Sequence, residues 1–429
     1  MNIDELQVLG AEKKQRKNNK IKIAIIALIA LLAIGGGICY YAISPKQPEK
    51  VKTGKKMGEP TIISELQAAV DSMLRDELEM IDGLQGQVIV MEVQTGEVLA
   101  LSGLERNFEG KFQPCKNFGY QQELGALMHT VSLLTVLETN KAKLSDVVHT
   151  GSGVCPVEDG YEMKDHNWHR GGYGSITLDR ALAVSSNVGI SLAVNKTFGN
   201  NNQAFFDLLD KMSFGQPDNI EGIDGLNHTS YSSPKDEDWA NWKLWWSAIG
   251  YERKIAPIQM LTFYNAIANN GKMVKPTLKT GEIEIINPQI AGKANIDSMQ
   301  MVLEHVVSQG LGKKAGTPIL RVAGKTSTSQ VGEYDYYNEV GTPLANYQLA
   351  FCGYFPADAP RYSIIVSMNK LGLPASGGGM AGVVFHNIVE WMITHGMPPV
   401  FFLNEETNDT IRVTSNNVDS IISNSLKQD

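Results

Sequence analysis

Three short segments carry the side chains that could do chemistry together. In Ala183-Val184-Ser185-Ser186-Asn187-Val188-Gly189, Ser185 and Asn187 offer a hydroxyl and a carboxamide two residues apart. In Val322-Ala323-Gly324-Lys325-Thr326-Ser327-Thr328-Ser329-Gln330, the Lys325 cation is flanked by the hydroxyls of Thr326, Ser327 and Thr328. His129 closes Glu123-Leu124-Gly125-Ala126-Leu127-Met128-His129, the head of an apolar helix, and an imidazole there could take a proton near neutral pH. Its helical neighbour three residues earlier is Ala126, whose methyl group can attack nothing. Ser185 and Asn187 would equally suit an ordinary helix N-cap. Asp165-His166-Asn167-Trp168-His169 has metal-ligand residue types, but a His-x-x-His pair off a clear helix reads as a surface loop, so neither a metal nor a cofactor is expected.

Taken in order, the three segments resemble the transpeptidase domain of penicillin-binding proteins, of the class B kind without a glycosyltransferase module. That family reads Ser-x-x-Lys, then Ser-x-Asn, then Lys-Thr-Gly. The resemblance places Ala126 at the nucleophile position and His129 at that of the general-base lysine. It makes Ser185 a proton-shuttling hydroxyl, Asn187 an amide that grips substrate backbone, and Lys325 the charge for a substrate carboxylate. Thr326 and Thr328 would bind that substrate from an edge strand, and Ser327 stands where a glycine lets the peptide lie close. Ser232-Ser233-Pro234-Lys235 is a full Ser-x-x-Lys match, but it falls in a charged loop with proline inside it. Lys52-Thr53-Gly54 and Lys279-Thr280-Gly281 lack the Val-Ala-Gly lead-in of the third segment. The resemblance therefore implies a catalytically degenerate relative that binds a stem peptide or β-lactam, or docks cell-wall synthesis proteins; the alternative is a D,D-transpeptidase or carboxypeptidase using another nucleophile, with Ser185 the candidate.

The elements that must position these residues follow from periodicity. Residues 61–82 repeat apolar side chains at helical spacing, and two strands, 88–93 and 98–101, meet at a turn containing Gly96. Helices are expected over 127–138, 178–194, 258–269 and 383–393, and alternating strands over 349–356 and 362–368. Trp239, Trp242, Trp245 and Trp246 recur at helical spacing, a core stripe first and a binding groove second. Beyond Pro399 the chain is rich in Asn, Ser, Thr and Asp and shows no strong period. The resemblance implies an α/β (α+β) fold, an antiparallel sheet flanked by helices plus an all-helical subdomain, which one transmembrane helix is expected to precede.

Composition sets the location. A net charge of −8 with 20% charged residues leaves no basic stripe for nucleic acid. Six cations between Lys13 and Lys22 precede an uncharged run over 23–44, which predicts an uncleaved single-pass anchor in the plasma (inner) membrane with the bulk of the chain periplasmic or extracytoplasmic. The expected boundaries are a basic tail at 1–22, the anchor at 23–44, a linker at 45–60, the transpeptidase-like domain at 61–397 and a polar tail at 398–429. Cys115 and Cys155 would bridge, or remain thiols with Cys352, in an oxidising compartment.

Overall fold

The computed structural model describes residues 57–331, 336–337, 343–399, 401–404, 409–414 and 416–417. The expected basic tail and anchor lie outside the described residues, and among those described no helix is long and apolar enough to cross a membrane. Nine α-helices are present among the described residues: α1 Ser64–Met80, α2 Met128–Glu138, α3 Leu178–Ala183, α4 Asn187–Phe198, α5 Gln203–Lys211, α6 Lys243–Ala248, α7 Pro257–Ala268, α8 Lys293–Ser308 and α9 Gly382–Thr394. The main sheet has six strands, β1 Gly83–Glu92, β2 Val98–Arg106, β3 Phe112–Pro114, β4 Ala323–Gln330, β5 Asn346–Phe355 and β6 Tyr362–Leu371. Their order is β4-β5-β6-β1-β2-β3, antiparallel throughout, which leaves β4 at one edge.

Apolar side chains on both faces of the central strands explain why helices cover the sheet twice. Val88 and Val90 of β1 face one layer with Leu66, Val70 and Leu74 of α1 and Phe385 and Ile388 of α9. Ile89 and Met91, pointing the other way, join Leu127, Val131 and Leu134 around α2 and Ile258 and Leu261 of α7. The same double burial corrects the reading of β5 and β6 as alternating strands: Leu349 through Phe355 and Tyr362 through Met368 are buried residue after residue.

Two further expectations are corrected. The helix expected over 178–194 is two helices, because Ser185 takes a left-handed φ of 54° and ends one turn before the next begins. The polar tail is not featureless, since Phe401–Asn404 pairs antiparallel with Asp409–Arg412. Cys115 and Cys155 are free thiols, the first next to β3 and the second in a separate hairpin formed by Val154–Pro156 and Glu162–Lys164. Of the tryptophans, Trp245 is buried and Trp239 and Trp246 pack against core clusters, whereas Trp242 is half-buried against the exposed Tyr161 ring at 4.6 Å, so the set is core only in part.

Candidate active site

Strand β4 presents alternate residues to opposite sides, and this sorts the third segment. Lys325, Ser327 and Ser329 share one side. There Ser327 and Ser329 meet the single 3-10 turn Gly125–Leu127 that leads into α2: a Cβ on Gly125 would lie 2.8 Å from Ser327 Oγ and 2.6 Å from Ser329 Oγ. Gly125 also has φ of 51°, so both space and conformation demand glycine just before Ala126. Both hydroxyls are buried without a hydrogen-bond partner among the described residues. On the other side Thr328 Oγ1 accepts from the Gly377 amide at 2.7 Å. A Cβ on Gly377 would lie 1.9 Å from the Ser327 carbonyl oxygen, so the glycine run before α9 clamps the strand from behind.

Lys325 is fully buried, and its Nζ donates to Ser185 Oγ and to the Thr326 carbonyl, each at 2.8 Å. Burial alone lowers its amine from the usual lysine range to about 7. His129, also fully buried, brings Nδ1 within 3.5 Å of the same Ser185 oxygen. Burial first, then the Lys325 charge, hold the imidazole well below its ordinary pKa, while the neighbouring Asn187 amide pulls the other way. The ring is therefore neutral at pH 7, and Nε2 has no partner among the described residues. Ala126, almost wholly buried, stands one turn before His129 in the same continuous helical run.

The loop that positions Ser185 is built from long-range hydrogen bonds. Ser186, not Ser185 or Asn187, caps α4: its Oγ accepts from the Gly189 amide at 2.9 Å. The same hydroxyl donates to Asp165, whose Oδ1 also accepts from the Val188 amide at 3.0 Å. Burial raises the Asp165 carboxyl and these donors oppose the rise. Asn187 Nδ2 donates to the Lys164 carbonyl at 2.9 Å, and Tyr173 OH contacts both His166 Nε2 and the Val184 carbonyl. Of the residues that the resemblance grouped, the structure sets His129 and Lys325 on the Ser185 hydroxyl, with the Asn187 amide beside the imidazole. Sequence reasoning missed Asp165 as the buttress, because no local pattern links a carboxylate to a helix start twenty residues on. The Ser232-Ser233-Pro234-Lys235 match stays apart, with Ser233 in a turn closed by Asp236.

An amine on a sheet-edge strand, bonded to a strained serine at the head of a helix, is a layout suited to acyl transfer, and the family model of the penicillin binding protein transpeptidase domain matches residues 86–390. The chain belongs to that family. It is 25% identical over 383 residues to penicillin-binding protein PbpB of Mycobacterium tuberculosis, covering 79% of this chain and 53% of the relative. It is 24% identical to peptidoglycan D,D-transpeptidase FtsI of Escherichia coli, covering 80% and 59%. The chain thus spans little more than half the length of these curated relatives. Among solved structures, the apo transpeptidase domain of penicillin-binding protein 3 from Burkholderia pseudomallei shares the fold with a TM-score of 0.67 and 23% identity, over 79% of this chain and 97% of that one. Penicillin-binding protein 3 of Mycobacterium tuberculosis in complex with aztreonam gives 0.66 and 22%, over 80% of each.

Proposed function

We propose that this protein is a membrane-anchored, catalytically silent penicillin-binding-protein relative of the cell envelope, retained to bind stem peptide or β-lactam without turning it over, or to dock the proteins that build peptidoglycan. The observation that carries the reading is a contrast between neighbouring segments. Ser185 and Lys325 are hydrogen-bonded to one another, whereas the helical turn that brings His129 beside them carries a methyl at Ala126 and a neutral imidazole. Losing the nucleophile of a serine hydrolase costs on the order of a million-fold in turnover. The anchor is the uncharged run at 23–44, with the domain that follows it outside the cytoplasm.

One specific observation favours a second reading. Ser185 Oγ lies 2.8 Å from an amine held at about 7, which is a nucleophile beside a base. Attack by that oxygen would pass its proton to Lys325 and open a β-lactam to a covalent ester. Incubating the full-length protein in detergent with a labelled penicillin and reading the intact mass separates the two readings. No mass increase is expected; a stoichiometric adduct mapped to Ser185 would replace the silent reading with the enzymatic one.

A further inference from the structure

The loop from Asp165 to Tyr173 holds charge that neither the fold nor the Ser185–Lys325 contact uses. Lys325 is fully buried, and its amine already donates to Ser185 Oγ and the Thr326 carbonyl. The cations that a ligand at this pocket can reach are two exposed guanidiniums, Arg170 at the end of the 3-10 turn Trp168–Arg170 and Arg180 on α3, the helix that leads into Ser185. Tyr173 ties them to the pocket: its hydroxyl contacts His166 Nε2 at 3.1 Å and the Val184 carbonyl, next to Ser185, at 3.4 Å. Burial raises that phenol and Asp165 adds to the rise, while Arg180 and Arg170 both pull it down, so both guanidiniums act on one hydroxyl. Partial burial, then the charges of Arg170, Lys325 and His169, lower the His166 imidazole, which puts Arg170 and Lys325 within reach of the same ring.

The neighbouring carboxylates are already engaged. Asp165 is buried and holds Ser186 and the Val188 amide, Asp179 pairs with His305 at 2.9 Å, and Glu162 pairs with Lys164 at 2.9 Å. The Arg170 guanidinium makes no ion pair or side-chain hydrogen bond among the described residues, and the Arg180 side chain spends one N–H, from Nη1, on the Gln309 carbonyl at 3.0 Å. In a chain of net charge −8, cations gathered at one rim repel one another until an anion comes from outside, and a guanidinium offers the forked donors that fit a carboxylate or a phosphate. We infer that the mouth of the Ser185 pocket is an oxyanion subsite, in which Arg170, Arg180 and the Tyr173 hydroxyl receive a carboxylate or phosphate carried by the ligand next to the part that lies against Ser185. That a ligand lies there rests on the binding reading proposed above; the charge of the subsite does not depend on residue 126.

The test is calorimetric titration of the full-length protein in detergent with tricarballylate and, separately, with inorganic pyrophosphate, which distinguishes a carboxylate from a phosphate source. Saturable binding of at least one of them, with a dissociation constant of about 1 mM or tighter, is expected. Arg170→Gln and Arg180→Gln should each weaken it about fivefold or more, the loss of one charge-assisted donor group, whereas Lys141→Gln, at an exposed cation beyond the far end of α2, should leave it unchanged. Arg170 has no side-chain partner to lose, so that variant reports even where Arg180→Gln, which releases the Gln309 carbonyl, fails to fold. No saturable binding of either anion, or binding that Arg170→Gln leaves unchanged, overturns the inference. Titration with acetyl-Glu-D-Ala-D-Ala and acetyl-Gln-D-Ala-D-Ala keeps the two readings apart. The Glu peptide should bind about fivefold tighter or more, an advantage lost in Arg170→Gln. Equal binding of the two peptides overturns the subsite and leaves the peptide reading standing, whereas Arg170-dependent anion binding with neither peptide bound overturns only the peptide reading.

Discussion

Restoring the missing pair, Ala126→Ser with His129→Lys, tests whether the rest of the pocket is still shaped for acylation. The geometry sets how a lysine at 129 should behave. His129 Nδ1 and Lys325 Nζ flank one oxygen, Ser185 Oγ, at 3.5 and 2.8 Å. A second ammonium near the imidazole position would therefore face Lys325 across at most about 6 Å, and at an effective dielectric of about 20 the repulsion is about 3 kcal/mol. That is roughly two pK units, on top of a site where burial already holds Lys325 at about 7. The two amines should consequently share a single proton at neutral pH, leaving one free base beside the new hydroxyl. Ala126→Ser alone has only an imidazole whose protonation is opposed by burial and by Lys325, so it is the poorer base. The double variant should form one penicillin adduct per chain, faster than the single variant by about 10²-fold or more, with a rate near its plateau at pH 7 that falls as pH drops toward about 5 and both amines become protonated. Intact-mass time courses on both variants decide the matter. A correctly folded double variant that stays unlabelled from about pH 6 to 9, or a single variant that labels just as fast, would refute the reasoning and shift the blame to Ser327 and the closed Gly125 turn.

Two other outcomes follow from the same geometry. Lys325 titrates at about 7 when folded and near 10.4 when unfolded, so the unfolded chain binds the extra proton between those values; stability from this residue is lowest below pH 7 and recovers by up to about 4 kcal/mol as pH rises toward 10. Burial-raised thiols such as Cys352 act in the opposite sense at alkaline pH, so the measurement is the difference in urea midpoints between wild type and Lys325→Met, which should narrow as pH rises from about 7 to 10. Asp165→Ala strips the Ser186 hydroxyl and the Val188 amide of their acceptor at the start of α4, and thermal unfolding should show a loss of about 1–3 kcal/mol; an unchanged melting temperature would mean that the loop is held by other contacts.

How far the sequence could be read depended on the range of the forces involved. Helix α1 was legible because its apolar spacing is a local record of which face is buried, whereas the middle of β1 and all of α7 are buried on every side and were legible from their runs of apolar residues. Strands β5 and β6 were placed correctly but described wrongly, since a strand covered on both faces loses the alternation that would mark it as half-exposed. The break at Ser185 was only half legible. Ser185 and Asn187 suit a helix N-cap, but the apolar residues on either side read as one helix, and the Asp165–Ser186 and Lys164–Asn187 hydrogen bonds, both made across more than twenty residues, hold the left-handed serine between the two.

That break is what gives the pocket its chemistry. A continuous helix from 178 to 194 would leave no turn to carry the Ser185 hydroxyl to Lys325. The strain of a non-glycine residue at positive φ, of order 1 kcal/mol or more, is offset by the cap on Ser186 and the buried carboxylate behind it. A chain drifting without constraint would be expected to relax that strained residue early, because replacing it by glycine or straightening the loop gains stability at once. The Ser185–Lys325 contact stands here beside a helix head that carries Ala126 and His129. This combination supports the proposed reading, in which the pocket is kept for what it binds.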